Sequence, residues 1–138
     1  MIPESRADEA RDWLRIAADD LRLAELGLAA SPPIVGLALY HALQAAETAL
    51  KGFLVLHGAR YPLTHNLGEL LRLALPFDAS LQEEILPALD LTLFATRYRY
   101  PGDPVEPDVQ QGRHYLALGR AACEAIERRI PPSRPTSG

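Results

Sequence analysis

The chain has 138 residues, which is enough for one hydrophobic core and too few for two independent domains. Hydrophobic residues make up 48% and charged residues 23% of the chain, as in ordinary globular proteins. The formal net charge of −4 argues against an indiscriminate nucleic-acid binder, because such proteins are usually basic. No apolar run reaches about 18 residues, and the charged N-terminal residues lack the apolar centre of a signal peptide. We therefore expect a cytoplasmic protein without a membrane segment.

Metal and redox chemistry lack their usual sequence signals. Cys123 is the single cysteine, which excludes an intrachain disulfide and a cysteine-rich zinc site, and we expect it to be a small buried residue. No glutamate has a histidine three residues later, as di-iron bundles require. Neither GxxxxGK[ST] nor GxGxxG occurs. We expect no metal and no cofactor.

Proline and glycine divide the chain into segments with helical periodicity. A first helix is predicted at about residues 6–30, with Ser5 as its N-cap. A second is predicted at 33–57, with a proline in its first turn. His57 at its end is expected to be a cation favoured by the helix dipole. A third, at 67–75, follows Asn66 as its cap.

Two further helices complete the pattern. The fourth is predicted at about 80–98, with Ser80 and Glu83 as a capping box, and Pro87 is expected to kink or split it. The fifth covers about 108–129. Three long helices joined by short connections predict an all-α fold, an antiparallel bundle of four to five helices over residues 1–130. Residues 131–138 read as a disordered tail.

The second helix carries a polar stripe formed by His41, Gln44, Glu47 and Lys51. At 100° per residue, these four positions fall within roughly 120° of arc, while leucines fill the opposite side. The stripe is compatible with a solvated face carrying one Glu47–Lys51 ion pair. Periodicity alone favours this interpretation, and the alternative is a hydrogen-bonding set that a ligand would use.

Three ordered blocks of sequence resemble the HEPN domain family. They are Tyr40-His41-x-x-Gln44-Ala45-Ala46-Glu47-x-x-Leu50-Lys51, then Thr64-His65-Asn66-Leu67, then Arg99-Tyr100-Pro101. The family shows H-x-x-Q-x-A-E-K-x-L-K, a T-H-x-L turn and a later R-Y-P. This chain departs from the pattern at Thr48, where the family usually has lysine.

The resemblance implies a helical bundle that usually forms a homodimer. Such proteins are often encoded beside a minimal nucleotidyltransferase as a toxin–antitoxin-like pair. Some members are metal-independent ribonucleases, and others bind nucleotides or act as partner domains. The residues that we expect to contact a nucleotide or RNA ligand are His41, Gln44, Glu47, Lys51, His65, Arg97 and Arg99.

Ribonuclease members resemble one another in an arginine followed four to six residues later by a histidine. Arginine neutralises charge developing on the phosphate, and histidine moves the proton. No histidine follows Arg97 or Arg99 at that spacing. One literal match runs from Arg60 to His65, in the loop after the second helix, where hydrogen bonding of His65 to nearby backbone is the simpler interpretation.

The preferred hypothesis is therefore a non-catalytic HEPN-type module that binds a nucleotide, RNA or a minimal nucleotidyltransferase partner. The first alternative is a divergent ribonuclease toxin, with His41 or His65 as the proton-transfer group and Arg97 or Arg99 as a phosphate clamp. The second is a purely structural adaptor whose stripe stays solvated.

Overall fold

A computed structural model describes residues 2–95 and 106–133 of the chain. These residues form helices and no strand, so the all-α prediction is confirmed. The five α-helices are α1 (Glu4–Ala29), α2 (Val35–Leu56), α3 (Leu67–Ala74), α4 (Leu81–Ile85) and α5 (Val109–Glu127). A 3₁₀ helix at Leu86–Phe94 follows α4 directly. Arg97 and Arg99 lie outside the described residues, as does most of the predicted tail at 131–138.

One of the three predicted caps is confirmed, and α5 has a capping box that was not predicted. The Asn66 side chain accepts a hydrogen bond from the Glu69 amide at 3.0 Å, which satisfies a free N–H in the first turn of α3. At α5, Asp108 and Gln111 exchange bonds in a capping box, with Asp108 Oδ1 accepting from the Gln111 amide at 2.8 Å. Both helices therefore start where their sequences predict.

The other two caps are wrong. α1 begins at Glu4 behind Pro3, which places Ser5 inside the helix instead of before it. Ser80 has α-helical backbone angles (φ −67°, ψ −14°) and makes no capping bond, because a capping side chain needs the extended backbone of a true N-cap. The hydroxyl of Ser80 donates to the carboxylate of Asp78 instead.

The predicted fourth helix is split at the expected proline. Its α-helical part ends at Ile85, and Pro87 stands within the first two residues of the 3₁₀ helix. Proline has no amide hydrogen, so it is tolerated in a first turn but interrupts a continuous α-helical ladder. The tighter 3₁₀ turn still buries Leu91 and Phe94 against the core.

α2 is the central helix of the bundle. Fifteen of its 22 residues are buried, and it packs against α1, α3, α5 and the 3₁₀ helix. Glycines allow the close approaches: a Cβ on Gly52 would lie 2.8 Å from Trp13 Cβ, and one on Gly119 would lie 3.1 Å from the Ala42 carbonyl oxygen. The start of α1 thus lies beside the end of α2, which makes the two helices antiparallel.

An arginine near the end of the described chain fastens α5 to the α3–α4 connection. Arg129 Nε donates to Asp78 Oδ2 at 2.8 Å, and its Nη2 donates to Ser80 Oγ at 2.7 Å. Its Nη1 lies 2.6 Å from Glu84 Oε2. Hydrogen bonds from Ser80 and Arg129 lower the pKa of Asp78 to about 2. The cluster keeps the short α4 helix against the end of α5.

Candidate functional site

Three of the four residues of the polar stripe lie on the narrow side of α2 that the bundle does not cover. The seven α2 residues that are not buried recur every three or four positions, as one face of a helix must. His41, Gln44 and Lys51 belong to this set and are each half-buried. The rest of the set is Leu37, Tyr40, Thr48 and Val55. The three predicted residues therefore share an accessible face, as the spacing indicated.

Glu47 does not lie on that accessible face. It is 3% exposed and is the one charged residue buried in the described part of the chain. Burial raises the pKa of its carboxyl group, although a hydrogen bond from His65 and the charges of His65 and Lys51 oppose the rise. The interpretation of Glu47 as part of a solvated ion pair is therefore wrong, because the loop residue His65 is its hydrogen-bonding partner.

His65 is the exposed partner of this buried carboxylate. Its Nδ1 lies 3.3 Å from Glu47 Oε2, while its side chain is 80% exposed. A proton on Nδ1 that is shared with the carboxylate leaves Nε2 as the ring nitrogen available to a ligand. The expected backbone hydrogen bond of His65 is replaced by this contact with a side chain.

The loop around His65 is held on both sides. Thr64 Oγ1 accepts a hydrogen bond from the Asn66 amide at 3.1 Å, and the Asn66 side chain caps α3. Hydrogen bonds of the preceding and the following residue thus hold the loop backbone, and the contact of Nδ1 with Glu47 holds the ring.

Lys51 lies one helical turn after Glu47 and completes this end of the stripe. Its Nζ is 5.9 Å from the centroid of the Tyr61 ring, within reach of a cation–π contact. The Tyr61 ring also meets the edge of Trp13, with 5.5 Å between centroids. Tyr61 was not predicted as a site residue, and its place in the Arg60–His65 match was the only signal for it.

His41 and Gln44 form a separate polar group nearer the start of α2. His41 Nδ1 lies 3.0 Å from Asp20 Oδ1 on α1, and Gln44 Nε2 donates to the Tyr40 hydroxyl at 3.0 Å. Neither contact involves Glu47 or His65. Sequence reasoning missed Asp20, because its contact with His41 depends on the register between α1 and α2.

The histidine that directly follows α2 has a packing role. The His57 ring stacks on Phe77, with 4.8 Å between centroids, and lies 4.6 Å from Phe53. Burial lowers the pKa of His57, and the charge of Arg6 adds to this while Asp78 opposes it. Burial thus disfavours the cation that was expected at the helix end.

The described residues contain neither a reactive thiol nor a cluster that could bind a metal ion. Cys123 is buried as predicted, and burial raises the pKa of its thiol to about 12, which leaves it unreactive. Within residues 2–95 and 106–133, no three His, Cys, Asp or Glu side chains come together as a metal ion would need. None of the helices in these ranges has the length and apolar character required to cross a bilayer.

The architecture is thus a helical bundle whose central helix and following loop bring a carboxylate, an imidazole and an ammonium group together. Comparison with protein-family models matches the HEPN domain over residues 10–128, which is most of the chain. The chain belongs to the HEPN domain family. Neither the curated proteins nor the solved structures contain a match to it.

Proposed function

We propose that this protein is a non-catalytic HEPN-domain module that binds the phosphate groups of a nucleotide or of RNA. The family is generally related to nucleotides and RNA, which gives the proposal its ligand class. Its site is formed by Lys51 and His65, with Glu47 orienting His65. The proposal depends on one observation: the buried carboxylate of Glu47 contacts the exposed imidazole of His65.

Stability alone does not account for Glu47. Removing a carboxylate from water costs several kcal/mol. A single hydrogen bond of 3.3 Å to a partner that is 80% exposed returns about 1 kcal/mol or less. A residue that weakens the fold but orients an accessible side chain is expected where that side chain has a function.

The neighbouring groups suit a phosphate-bearing ligand. Lys51 supplies a permanent positive charge, and His65 supplies a second one when it is protonated. The aromatic ring of Tyr61 beside Lys51 offers a surface on which a base can stack. Two basic side chains fit one or two phosphates, which agrees with the acidic net charge of the chain.

Binding of a fluorescein-labelled single-stranded RNA and of a labelled adenosine triphosphate tests the proposal. Lys51→Ala should weaken binding about tenfold, as expected for the loss of one close phosphate contact, with an unchanged melting temperature. Adding Arg99→Ala should weaken it further if that arginine also faces the ligand. Arg72→Ala, which removes an exposed charge on α3, is the matched control. The site assignment is wrong if neither probe binds the wild type. It is also wrong if Lys51→Ala and Arg72→Ala bind the probes with equal affinity.

A ribonuclease remains the second candidate, because Glu47 and His65 form the carboxylate–imidazole pair that proton transfer needs. In such a reaction His65 Nε2 would take the 2′-hydroxyl proton, the 2′-oxygen would attack phosphorus, and the bond to the 5′-oxygen would break. The leaving oxygen would take a proton from water, because His41 belongs to the separate polar group nearer the start of α2. Growth arrest on expression that His65→Ala relieves would favour this enzyme, and harmless overexpression would count against it.

A minimal nucleotidyltransferase as partner, in a toxin–antitoxin-like pair, is supported by the family resemblance. Co-purification with the product of a neighbouring nucleotidyltransferase gene would test it. A homodimer is supported in the same way. A structural adaptor is the outcome if Lys51→Ala and His65→Ala change neither binding nor growth.

A further inference from the structure

Exposed apolar side chains cluster where α1 ends and α2 begins. Leu23 and Leu26 on α1 are 50% and 58% exposed, and Ile34 and Leu37 at the start of α2 are 50% and 51% exposed. We call these four residues the α1–α2 patch. Together with small residues they line one groove of about 280 Å³, which shows that they are contiguous. The remaining lining residues are Gly27, Ala30, Ala38 and His41.

The size of the patch is sufficient for the core of a protein contact. Four large, half-exposed, contiguous side chains form an apolar surface on the order of 400 Å², which is within the range of the largest patch on a typical monomer. A stable interface takes about 800 Å² from each partner, with an apolar core inside a polar rim. The patch supplies such a core, and the adjoining polar residues of α1 and α2 supply the rim.

The chemistry of the patch fits another apolar surface. Seven of the eight residues that line its groove are uncharged, and the eighth, His41, has its Nδ1 on Asp20. A nucleic acid or a free phosphate would find no lysine or arginine in this groove. A second copy of the same surface would meet it without opposing like charges.

The patch places large and small side chains next to each other. The half-exposed leucines line the same groove as the small residues Gly27, Ala30 and Ala38. Leu23, Leu26 and Ala30 follow a spacing of three and four along α1 and its C-cap. Ile34, Leu37 and His41 follow the same spacing along the N-cap and first turns of α2. Helices with this spacing pack side by side in four-helix arrangements.

We propose that the α1–α2 patch is the contact surface between two copies of this chain, related by a twofold axis. The α1–α2 pair of one copy packs on the same pair of the other. A contact made by one patch with itself is what a twofold dimer requires. The inference rests on the homodimer named in the proposed function and specifies its surface.

The test is the mass of the full chain in solution, measured by light scattering and by sedimentation over a range of concentrations. The wild type should show about twice its 15.1 kDa chain mass. Leu37→Glu should raise the dimer dissociation constant at least 100-fold, because it places a charge in the apolar centre of the contact twice. Leu93→Glu is the matched control, since Leu93 is 50% exposed on the 3₁₀ helix away from the patch. It should leave the dimer intact.

Circular dichroism must show that Leu37→Glu is folded. If it is not, Leu26→Ser and Leu37→Ala take its place, with at least a tenfold weakening expected from each. A monomeric wild type at about 100 µM, or a dimer that all patch variants leave unchanged, would overturn the proposal. The phosphate-binding assay is independent of these outcomes: a monomer that binds RNA refutes only the interface, and a dimer that binds no phosphate refutes only the proposed site.

Discussion

At the scale of single residues, Glu47 is the position where local preference and burial conflict. A carboxylate on a helix is normally solvated, and this one is enclosed, with a pKa raised by that burial. In the folded protein the protonated form is favoured relative to the unfolded chain. The stabilisation that protonated Glu47 gives the fold is therefore fully present below pH 4.5, the pKa of this residue in the unfolded chain. It is lost as the pH rises through the pKa of Glu47 in the folded protein.

Glu47→Gln should follow that sign. Glutamine keeps the size of the side chain and a hydrogen bond to His65, but it cannot ionise. We expect the variant to melt about 2–5 °C above the wild type at pH 7.5, with the difference shrinking towards pH 4. Melting curves at several pH values measure this, with the exposed Glu83→Gln as control. A Glu47→Gln variant less stable than the wild type at pH 7.5 would show that the ionised pair with His65 is a net stabiliser.

Residue-level chemistry explains which parts of the site were predictable. The i, i+3 and i+4 spacing of His41, Gln44 and Lys51 placed them on one accessible face without any knowledge of the fold. The burial of Glu47 was not predictable, because it depends on how the loop that carries His65 folds back on α2. The position of Arg97 and Arg99 relative to this site stays a prediction.

At the scale of helices, α2 is held by contacts too close for ordinary side chains. A Cβ at position 52 would lie 2.8 Å from Trp13 Cβ and 3.3 Å from the Ala10 carbonyl oxygen. These atoms belong to the rigid backbone of α1 or to the base of a large side chain, and neither moves easily. Gly52 therefore sets the distance between α1 and α2.

Gly52→Ala should destabilise the fold by up to about 2 kcal/mol. Alanine gains about 1 kcal/mol in helix propensity, but the overlap with α1 costs about 1–3 kcal/mol, and we expect the overlap to dominate. The midpoint of urea unfolding should fall with an unchanged slope. Gly68→Ala is the control, because its nearest side-chain atoms would lie at 3.3 and 3.6 Å. Equal stability of the two variants would contradict the close packing of α1 on α2.

The helix ends show which features of the fold local sequence alone can predict. Asn66 caps α3 as predicted, because a cap bonds to an amide only three residues away, and Asp108 caps α5 in the same way. Ser80 fails as a cap because the connection that contains Asp78 turns helically before it. The split of the fourth segment at Pro87 was predictable, whereas its continuation as a 3₁₀ helix depends on the core beneath Leu91.

At the scale of the whole molecule, Arg129 links parts of the chain that are about 50 residues apart. It contacts Asp78, Ser80 and Glu84, and its own side chain is 17% exposed. The low pKa of Asp78, about 2, shows how strongly the ionised form is favoured. The contribution of Asp78 is fully present above its ordinary value of 3.8 and is lost as pH falls through about 2.

Arg129→Ala should lower the melting temperature by about 3–6 °C at pH 7, because it leaves two carboxylates without their shared cation. The difference from the wild type should persist to about pH 4 and decline towards pH 2. Arg128→Ala removes one bond from a side chain that is 58% exposed, so a smaller effect is expected. A pH-independent difference would assign the loss to packing instead of charge.

The central position of α2 also limits how this protein can change over evolutionary time. Fifteen of its 22 residues are buried, so most substitutions in α2 disturb the core, and only the seven residues of its accessible face are free to vary. The proposed site lies at one end of that face and the α1–α2 patch at the other. New ligand specificity must therefore arise from a few positions on this face or from the adjoining loop. Substitutions at one end of the face leave the other end unchanged.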